Sequence, residues 1–325
     1  MLALAIIPAH AAEKEKPKAW IDPEVAKAED PQFQLQGEYV GGEGDAKYGA
    51  QVVAQGGGRL DVYILEGGLP GAGWEPGKTR NHIRGVSANG IMSLRDKTGV
   101  APFFVGTDGE KLTIKTADGK QHILDRIERK SPTLGAKPPE GAIVLFDGTD
   151  AEKWENAKVE NGYLLSTGAT SKETFADYHL HLEFRTPYMP AARGQGRGNS
   201  GIYHSGRWET QVLDSFGLDG KDNETGGIYS ISKPRLNMCL PPLAWQTYDV
   251  DFTAAKFDAE GKRTAWPRIT VKLNGVLVHE DLELNKDFTT SAPITTPLET
   301  PFGPVHLQNH GNPVVYRNIW IVPGK

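Results

Sequence analysis

Residues 178–215 read YHLHLEFRTPYMPAARGQGRGNSGIYHSGRWETQVLDS, and this segment decides the predicted fold. Apolar and polar side chains alternate strictly from Leu180 to Arg185. A period of two is typical of a β-strand that has one face in the core. After a loop rich in glycine and arginine, two further short strands are expected around residues 200–204 and 207–213. The segment therefore predicts three adjacent strands.

These strands carry an unusual set of polar side chains. Glu183 and Arg185 leave one face of the first strand, and Glu209 and Gln211 leave one face of the last. A solvated sheet face usually mixes Lys, Thr and Glu, and such a bland face is the alternative interpretation. Charged and amide side chains instead suit hydrogen bonds to a ligand rich in hydroxyls. The pattern favours a sugar-binding cleft.

Composition limits the class of protein. The chain has 325 residues, which exceeds one ordinary domain and predicts two. Its 38 glycines and 22 prolines, together with recurring alternation, predict an all-β protein with many turns. The net charge of −5 argues against nucleic acid or an anionic membrane as the main partner. A single cysteine, Cys239, excludes intrachain disulfides and a cysteine-based zinc site.

Residues 1–30 are predicted to be a signal remnant and a leader. Residues 2–7 form a short apolar run, and Ala9, His10 and Ala11 fit the small-x-small cleavage pattern of an export signal. The basic segment that normally precedes such a run is missing, so a truncated signal cleaved near Ala11 is expected. The predicted location is the periplasm or the outside of the cell. The run is too short to span a bilayer, and no other stretch approaches that length.

Residues 31–130 predict a small β-domain. Its alternating segments are separated by glycine-rich turns, including the hairpin signals Asp108-Gly109 and Asp118-Gly119. Such a meander has to curl into a small barrel or a sandwich to cover its apolar face. No catalytic set is evident here, so an accessory role is expected.

A boundary and a second domain follow. Residues 131–141, SPTLGAKPPEG, contain prolines that favour an extended, semi-rigid linker. Residues 142–325 contain many evenly spaced alternating segments, with hairpin turns at Asn161-Gly162 and Asn274-Gly275. This pattern predicts a two-sheet jelly-roll sandwich.

Nine short motifs in this second domain carry a family resemblance. In order they read LFDGTDAEKWE, VENGYLLS, DYHLHLEFRTP, NSGIYH, WETQVLD, GGIY, WQTYDVDF, ITVKLNGVLVHE and VHLQNHGNPVVYRNIWI. Each is weak alone, but in this order they resemble the 3-keto-disaccharide hydrolase family over about residues 142–325. The resemblance implies a concanavalin A-like jelly roll. It also implies a substrate that is an oligosaccharide or glycoside already oxidised to a ketone at sugar C3.

The implied chemistry needs three kinds of group. A ketone at C3 acidifies the proton at C2, so the site needs a base for that proton, an electrophile for the C3 oxygen and a donor for the leaving oxygen. Catalytic roles are predicted for Glu183, Glu209 and His310. Substrate binding is predicted for Arg185, Asn199, Gln211, Asp214 and Gln308. Glu183, Arg185, Glu209, Gln211 and His310 are expected to converge on one concave face.

Several alternatives stay open on the sequence alone. Glu183 and Glu209 could be the two flanking carboxylates of an ordinary glycosidase. A divalent metal ion could serve as the electrophile, but no ligand spacing demands one, so no cofactor is certain. A lectin-like carbohydrate-binding module is the main non-enzymatic alternative, because fold does not settle function. A structural or envelope protein is a third.

Overall fold

The computed structural model describes residues 16–44, 47–88, 91–95, 103–116 and 119–324. The predicted export signal and its cleavage position near Ala11 lie outside these residues. The chain is 43% strand and 6% helical, which confirms the predicted all-β class. Within the described part, no helix is long and apolar enough to cross a membrane.

Two short helices precede the sheets. Helix α1 (Pro23–Glu29) begins after Asp22, whose carboxylate accepts hydrogen bonds from the backbone N–H groups of Glu24 and Val25. Helix α2 (Pro31–Leu35) begins in the same way after Asp30. Both have proline at the start, where its missing N–H costs nothing.

An eight-stranded antiparallel sheet follows, which we call the N-terminal sheet. The strands of this part of the chain are β1 (Gly37–Gly41), β2 (Tyr48–Ala54), β3 (Arg59–Glu66), β4 (Leu69–Pro70), β5 (Gly73–Trp74), β6 (Arg80–Ala88), β7 (Ile91–Arg95), β8 (Phe103–Thr107), β9 (Lys111–Thr116) and β10 (Gln121–Ile127). The sheet order is β7-β6-β3-β2-β1-β10-β9-β8, and β4 and β5 form a separate small pair. Because β1 pairs with β10, the sheet brings the two ends of this segment together. Its inner face buries a cluster of its own that includes Tyr39, Val52 and Ile64.

The rest of the chain forms a two-sheet sandwich. Its strands are β11 (Ile143–Phe146), β12 (Trp154–Glu155), β13 (Val159–Glu160), β14 (Tyr163–Leu165), β15 (Ala169–Ser171), β16 (Tyr178–Arg185), β17 (Ser200–His204), β18 (Trp208–Val212), β19 (Gln246–Thr253), β20 (Lys256–Phe257), β21 (Arg263–Ala265), β22 (Arg268–Leu273), β23 (Val276–Glu283), β24 (His306–Leu307) and β25 (Val315–Pro323). The large sheet has the order β13-β14-β25-β16-β19-β22-β23, and β11 also pairs with β25. The small sheet has the order β12-β15-β24-β17-β18, and β20 pairs only with β21.

The core lies between these two sheets. Leu182 and Phe184 point into it from the large sheet, and Ile202, Trp208 and Val212 point into it from the small sheet. Burying a side chain of this size stabilises the fold by roughly 1.5–3 kcal/mol. The alternation read from residues 180–185 is thus the core pattern of one sheet, and the jelly-roll-type sandwich is confirmed.

Candidate active site

The three strands of residues 178–215 do not form one surface. Strand β16 belongs to the large sheet, whereas β17 and β18 belong to the small sheet, with the core between them. The expectation that Glu183, Arg185, Glu209, Gln211 and His310 share one face is therefore wrong. Alternation shows which side chains leave the core, but a sandwich has two outer faces, and period two does not choose between them.

Glu183 lies on the outer face of the large sheet, under the segment that was predicted as the linker. It is fully buried, and its Oε1 accepts hydrogen bonds from the backbone N–H of Gly135 at 2.6 Å and from Asn318 at 2.9 Å. Its Oε2 accepts a charged bond from Arg317 at 2.6 Å. Burial alone would raise the pKa, but the nearby His181, 3.8 Å away, and these three donors lower it to about 2. Glu183 is an ionised structural carboxylate.

The surroundings of Glu183 explain why the linker is docked. His181 lies 2.6 Å from Asp249, and Thr133 donates to the same carboxylate at 2.7 Å. Ser131 bonds the hydroxyl of Thr247 at 2.6 Å. The predicted linker therefore packs on the large sheet through hydrogen bonds to buried polar groups.

Arg185 also lies on the large sheet. Its guanidinium is 4.9 Å from the ring centre of Trp245 and 5.2 Å from that of Tyr163. It donates to the carbonyl of Ile21 at 3.0 Å. Neither Glu183 nor Arg185 can contact a ligand bound against the small sheet.

The outer face of the small sheet gathers Glu209, Gln211 and Gln308 from the predicted set. We call it the polar face, and it consists of Thr170, Gly201, Tyr203, Glu209, Gln211, His306 and Gln308. The register places Tyr203 opposite both Glu209 and His306, and Gly201 opposite Gln211. The backbone N–H of Gln308 bonds the carbonyl of Gly201 at 2.8 Å. Alternation along β17, β18 and β24 thus brings one carboxyl and two amides together.

Glu209 is buried in an environment unlike that of Glu183. Its Oε2 accepts one hydrogen bond from the Tyr203 hydroxyl at 3.0 Å. Its Oε1 is buried and has no partner within the described part of the chain. Burial raises the pKa of Glu209 to about 8, and the bond from Tyr203 offsets this only in part. At pH 7 the group is mainly protonated and ready to exchange a proton.

Tyr203 and Gly201 hold this carboxyl in place. The Tyr203 hydroxyl accepts from the Gln308 amide at 3.0 Å and lies 2.8 Å from the carbonyl of Thr290. Burial, followed by the charge of Glu209, raises the pKa of Tyr203, so it keeps its proton. A Cβ at Gly201 would come within 2.0 Å of Glu209 Oε1. The glycine is therefore required by the carboxyl that lies over it.

Several amide side chains complete this region. Gln195 Oε1 accepts from Asn199 Nδ2 at 3.0 Å and from Gln211 Nε2 at 3.3 Å. This arrangement leaves Asn199 Oδ1, Gln211 Oε1 and Gln308 Oε1 buried without a partner among the residues the structure describes. Each such group costs about 1–3 kcal/mol unless a ligand or water satisfies it. Three amide acceptors in one place suit the hydroxyls of a sugar.

Two predicted residues lie at the margins. His310 is exposed in the loop after Gln308, and the same loop is held by Asn312, whose Oδ1 accepts from the backbone N–H of Asn199 at 2.8 Å. Asp214 is buried behind the end of β18 and binds Arg197 at 2.6 Å. The structure therefore leaves His310 exposed in the loop that follows Gln308, whereas the Asp214 carboxylate is occupied by an arginine.

The sequence reasoning missed Tyr203, Gln195 and His306. His306 bonds Thr170 at 2.8 Å, and burial lowers its pKa to about 4, so the ring is neutral at pH 7. The signal for Tyr203 and His306 was available, because both follow the period of two in their strands. Gln195 stands in an irregular loop, where no periodicity indicates direction.

Two clefts lie away from the polar face. One of about 770 Å³ lies between the N-terminal sheet and the segment that ends at Trp245, and one of about 690 Å³ is lined by Arg59, Arg84 and Arg193. Neither is lined by a buried polar atom that lacks a partner, whereas four such atoms belong to Asn199 and the polar face. Unsatisfied buried groups mark a ligand site better than volume does, so we take the polar face as the candidate active site.

The described residues contain no group of three or more His, Cys, Asp or Glu placed to hold a metal ion. The possible divalent ion therefore stays a prediction.

This two-sheet antiparallel sandwich, with amides beside a perturbed carboxyl, is a carbohydrate-active β-protein by its family match. Residues 141–322 match the family described as the 3-keto-alpha-glucoside-1,2-lyase-like domain. This match spans more than half of the chain, and the protein belongs to that family. The predicted resemblance is confirmed.

The chain is also similar to solved structures. A protein from Parabacteroides distasonis, provisionally assigned as a glycosyl hydrolase and solved at 2.13 Å, is 34% identical with a TM-score of 0.52. The alignment covers 57% of this chain and 85% of that one. A second protein from the same organism with the same assignment is 18% identical over 57% of this chain and 95% of its own, with a TM-score of 0.42. A comparison with curated proteins gave no match.

Proposed function

We propose that this protein cleaves the glycosidic bond of 3-keto-glycosides, with Glu209 as the base that removes the proton from C2. The observation that carries the proposal is the state of Glu209. Its pKa is raised to about 8, and one of its oxygens is buried without a protein partner. A carboxylate of this kind is a stronger base than an ordinary glutamate and exchanges its proton near neutral pH.

The reaction follows from the acidity of the keto sugar. Glu209 takes the C2 proton, and the electron pair of that C–H bond forms the C1–C2 double bond as the C1–O bond breaks. The leaving oxygen takes a proton, and the unsaturated sugar remains conjugated with the C3 ketone. Water then adds its oxygen to C1 and a proton returns to C2, so the net change is hydrolysis.

Other residues of the site have simpler roles in the proposal. Gln211, Asn199 and Gln308 accept hydrogen bonds from sugar hydroxyls through their unpartnered oxygens. Tyr203 stays protonated and orients the carboxyl of Glu209. His310, on the exposed loop that follows Gln308, is the proposed proton donor to the leaving oxygen, because an imidazole N–H can donate a proton.

An ordinary two-carboxylate glycosidase is less well supported. That mechanism needs a second carboxylate about 5–10 Å from the first, with the sugar between them. Glu183, which the sequence suggested for this role, lies on the outer face of the other sheet and is ionised by its donors. Sugar binding without catalysis is the second candidate, because amide acceptors alone would serve it.

The test compares a 3-keto-glucoside with its unoxidised parent, with and without a chelator. We expect cleavage of the keto sugar only, since without the ketone the C2 proton is too weakly acidic for a carboxylate. The rate should rise with pH up to about pH 8, as Glu209 loses its proton. Rapid cleavage of the plain glucoside, or a rate that is already maximal at pH 6, would contradict the proposed base. Loss of activity with the chelator would show that a metal ion takes part.

We also propose that the protein is exported. It rests on the apolar run of residues 2–7 and the pattern Ala9-His10-Ala11. Amino-terminal sequencing of the protein after expression in a bacterial host that exports it should show removal of the first residues near Ala11. An intact Met1 in the mature protein would contradict this.

A further inference from the structure

The N-terminal sheet contacts the candidate site through two arginines of one loop. This loop, residues 190–198, connects β16 to β17 and contains a single 3₁₀ turn, Gly194–Gly196. Arg193 and Arg197 flank that turn, and Gln195 lies in its middle. Gln195 is the residue that joins the amides of Asn199 and Gln211.

Both arginines bind the end of one strand in the N-terminal sheet. Arg193 donates to the carbonyl of Gln55 at 2.6 Å, directly after β2. Arg197 donates to the carbonyl of Ala54 at 3.1 Å and, through Nε, to Asp214 at 2.6 Å. Two consecutive carbonyls of one strand end thus hold both sides of the turn that carries Gln195.

A second contact supports the neighbouring loop. Phe216, which follows β18, is buried in a cluster with Val53 and Tyr63 of the N-terminal sheet. Arg80 of the same sheet binds Asp219 at 2.6 Å. The chain segments that leave β18 and enter β17 are therefore both packed against the N-terminal sheet.

We infer that the N-terminal sheet is a positioning element of the site, and that Arg193 and Arg197 transmit its effect to Gln195. The inference rests on the proposed function in that Gln195 orients two substrate-binding amides. A flexible glycine-rich loop would otherwise lose conformational entropy when substrate binds, and ordering it in advance removes that loss. Gln195 bonds Asn199 and Gln211, whereas Glu209 is held by Tyr203. The contacts of Arg193 and Arg197 with the N-terminal sheet should therefore affect substrate binding more than the chemical step.

The test uses the full-length protein, four single variants and one double variant. Arg193→Ala removes an exposed side chain, so folding is retained. Gln195→Ala removes the oxygen that accepts hydrogen bonds from both Asn199 and Gln211. Arg197→Lys keeps a positive charge for Asp214 but lacks the second N–H group that donates to the carbonyl of Ala54. Arg84→Ala is the matched control, because Arg84 is an exposed arginine of the same sheet that pairs with Asp61 at 3.6 Å within that sheet.

Two measurements are made on each protein. Hydrogen exchange of the amides in residues 191–199 should accelerate about tenfold in Arg193→Ala and in Arg197→Lys, and stay unchanged in Arg84→Ala. The KM for the 3-keto-glucoside should rise about 5- to 20-fold in Arg193→Ala and in Gln195→Ala, with kcat within about twofold. The double variant Arg193→Ala/Gln195→Ala should be no worse than the poorer single variant, since both act through one residue.

The outcomes separate this inference from the proposed function. Unchanged exchange in Arg193→Ala and Arg197→Lys, or equal acceleration in Arg84→Ala, would overturn the positioning role. So would additive effects on KM in the double variant. A wild-type protein that leaves the keto sugar intact would contradict the proposed function. The exchange measurement would still decide whether Arg193 and Arg197 order the loop.

Discussion

Two buried glutamates, Glu183 and Glu209, show how one residue type acquires opposite properties in one fold. Both are almost inaccessible to solvent. Glu183 lies 3.8 Å from His181 and receives bonds from an amide, a backbone N–H and a guanidinium, and together these groups lower its pKa to about 2. Glu209 receives one bond from a hydroxyl, and its pKa rises to about 8.

The difference teaches that burial does not determine the charge of a carboxyl group. Removal from water raises the pKa in both cases, and the number and charge of the donors decides the outcome. A carboxylate whose lone pairs are filled stabilises the structure. One with a free oxygen and a raised pKa is available for chemistry.

The largest expected effect concerns Glu209, the proposed catalytic base. Glu209→Gln should lower kcat on the 3-keto-glucoside by roughly 10²–10⁴-fold, because the amide cannot take a proton. Glu183→Gln should retain kcat within about threefold, since Glu183 lies on the other sheet. Steady-state kinetics of the two variants side by side decides the point. A larger loss in Glu183→Gln would reverse our assignment.

The second prediction uses the pH dependence of stability. Between about pH 4.5 and pH 8 the folded protein holds a proton on Glu209 that the unfolded chain has released. The unfolding free energy should therefore fall as pH rises, by up to about 1.4 kcal/mol per pH unit from this group. Glu209→Gln removes this titrating group, so the unfolding free energy of the variant does not fall in this way. The difference in unfolding free energy between variant and wild type should therefore grow by up to about 4 kcal/mol from pH 5 to pH 8.

Urea unfolding at several pH values measures this difference. Glu183→Gln serves as the control, because it keeps Glu209. Parallel stability curves for wild type and Glu209→Gln across this range would show that Glu209 titrates normally.

The third prediction concerns the structural carboxylate. Glu183→Gln should lower the unfolding free energy by about 1–3 kcal/mol at pH 7, because Arg317 loses its charged partner while it remains partly open to water. The folded pKa lies below the ordinary value of 4.5, so this stabilisation is complete above pH 4.5 and is lost as pH falls toward 2. The gap between wild type and variant, measured by denaturant unfolding, should close over that range. A gap that widens in acid would contradict the ion pair.

The smallest expected effect concerns an amide of the polar face. Gln211→Ala should raise KM by about 5- to 20-fold with little change in kcat, as for a group that binds ground and transition states alike. Thr170→Ser, which keeps a hydroxyl for His306 in another strand of the same face, is a conservative control. A fall in kcat comparable to that of Glu209→Gln would mean that Gln211 takes part in the chemical step.

Much of the fold followed from local pattern. Alternation along residues 180–185 identified Leu182 and Phe184 as core side chains, and the motif order identified the family. The placement of Glu209 and Gln211 on the outer face of one strand also came from alternation, because side chains two residues apart lie on one face of a strand. Gln195 could not be found in this way, since its direction depends on a loop held by distant carbonyls.

The sequence by itself determined the strands, the class of fold and the chemical groups available to the site. Only the tertiary structure decided that Glu183 and Glu209 lie on different sheets, and which of them is ionised. The physical reason is that strand periodicity is a local property of the chain, whereas strand pairing and pKa depend on residues far apart in sequence. Gly135 and Arg317, which ionise Glu183, lie 48 and 134 positions away from it.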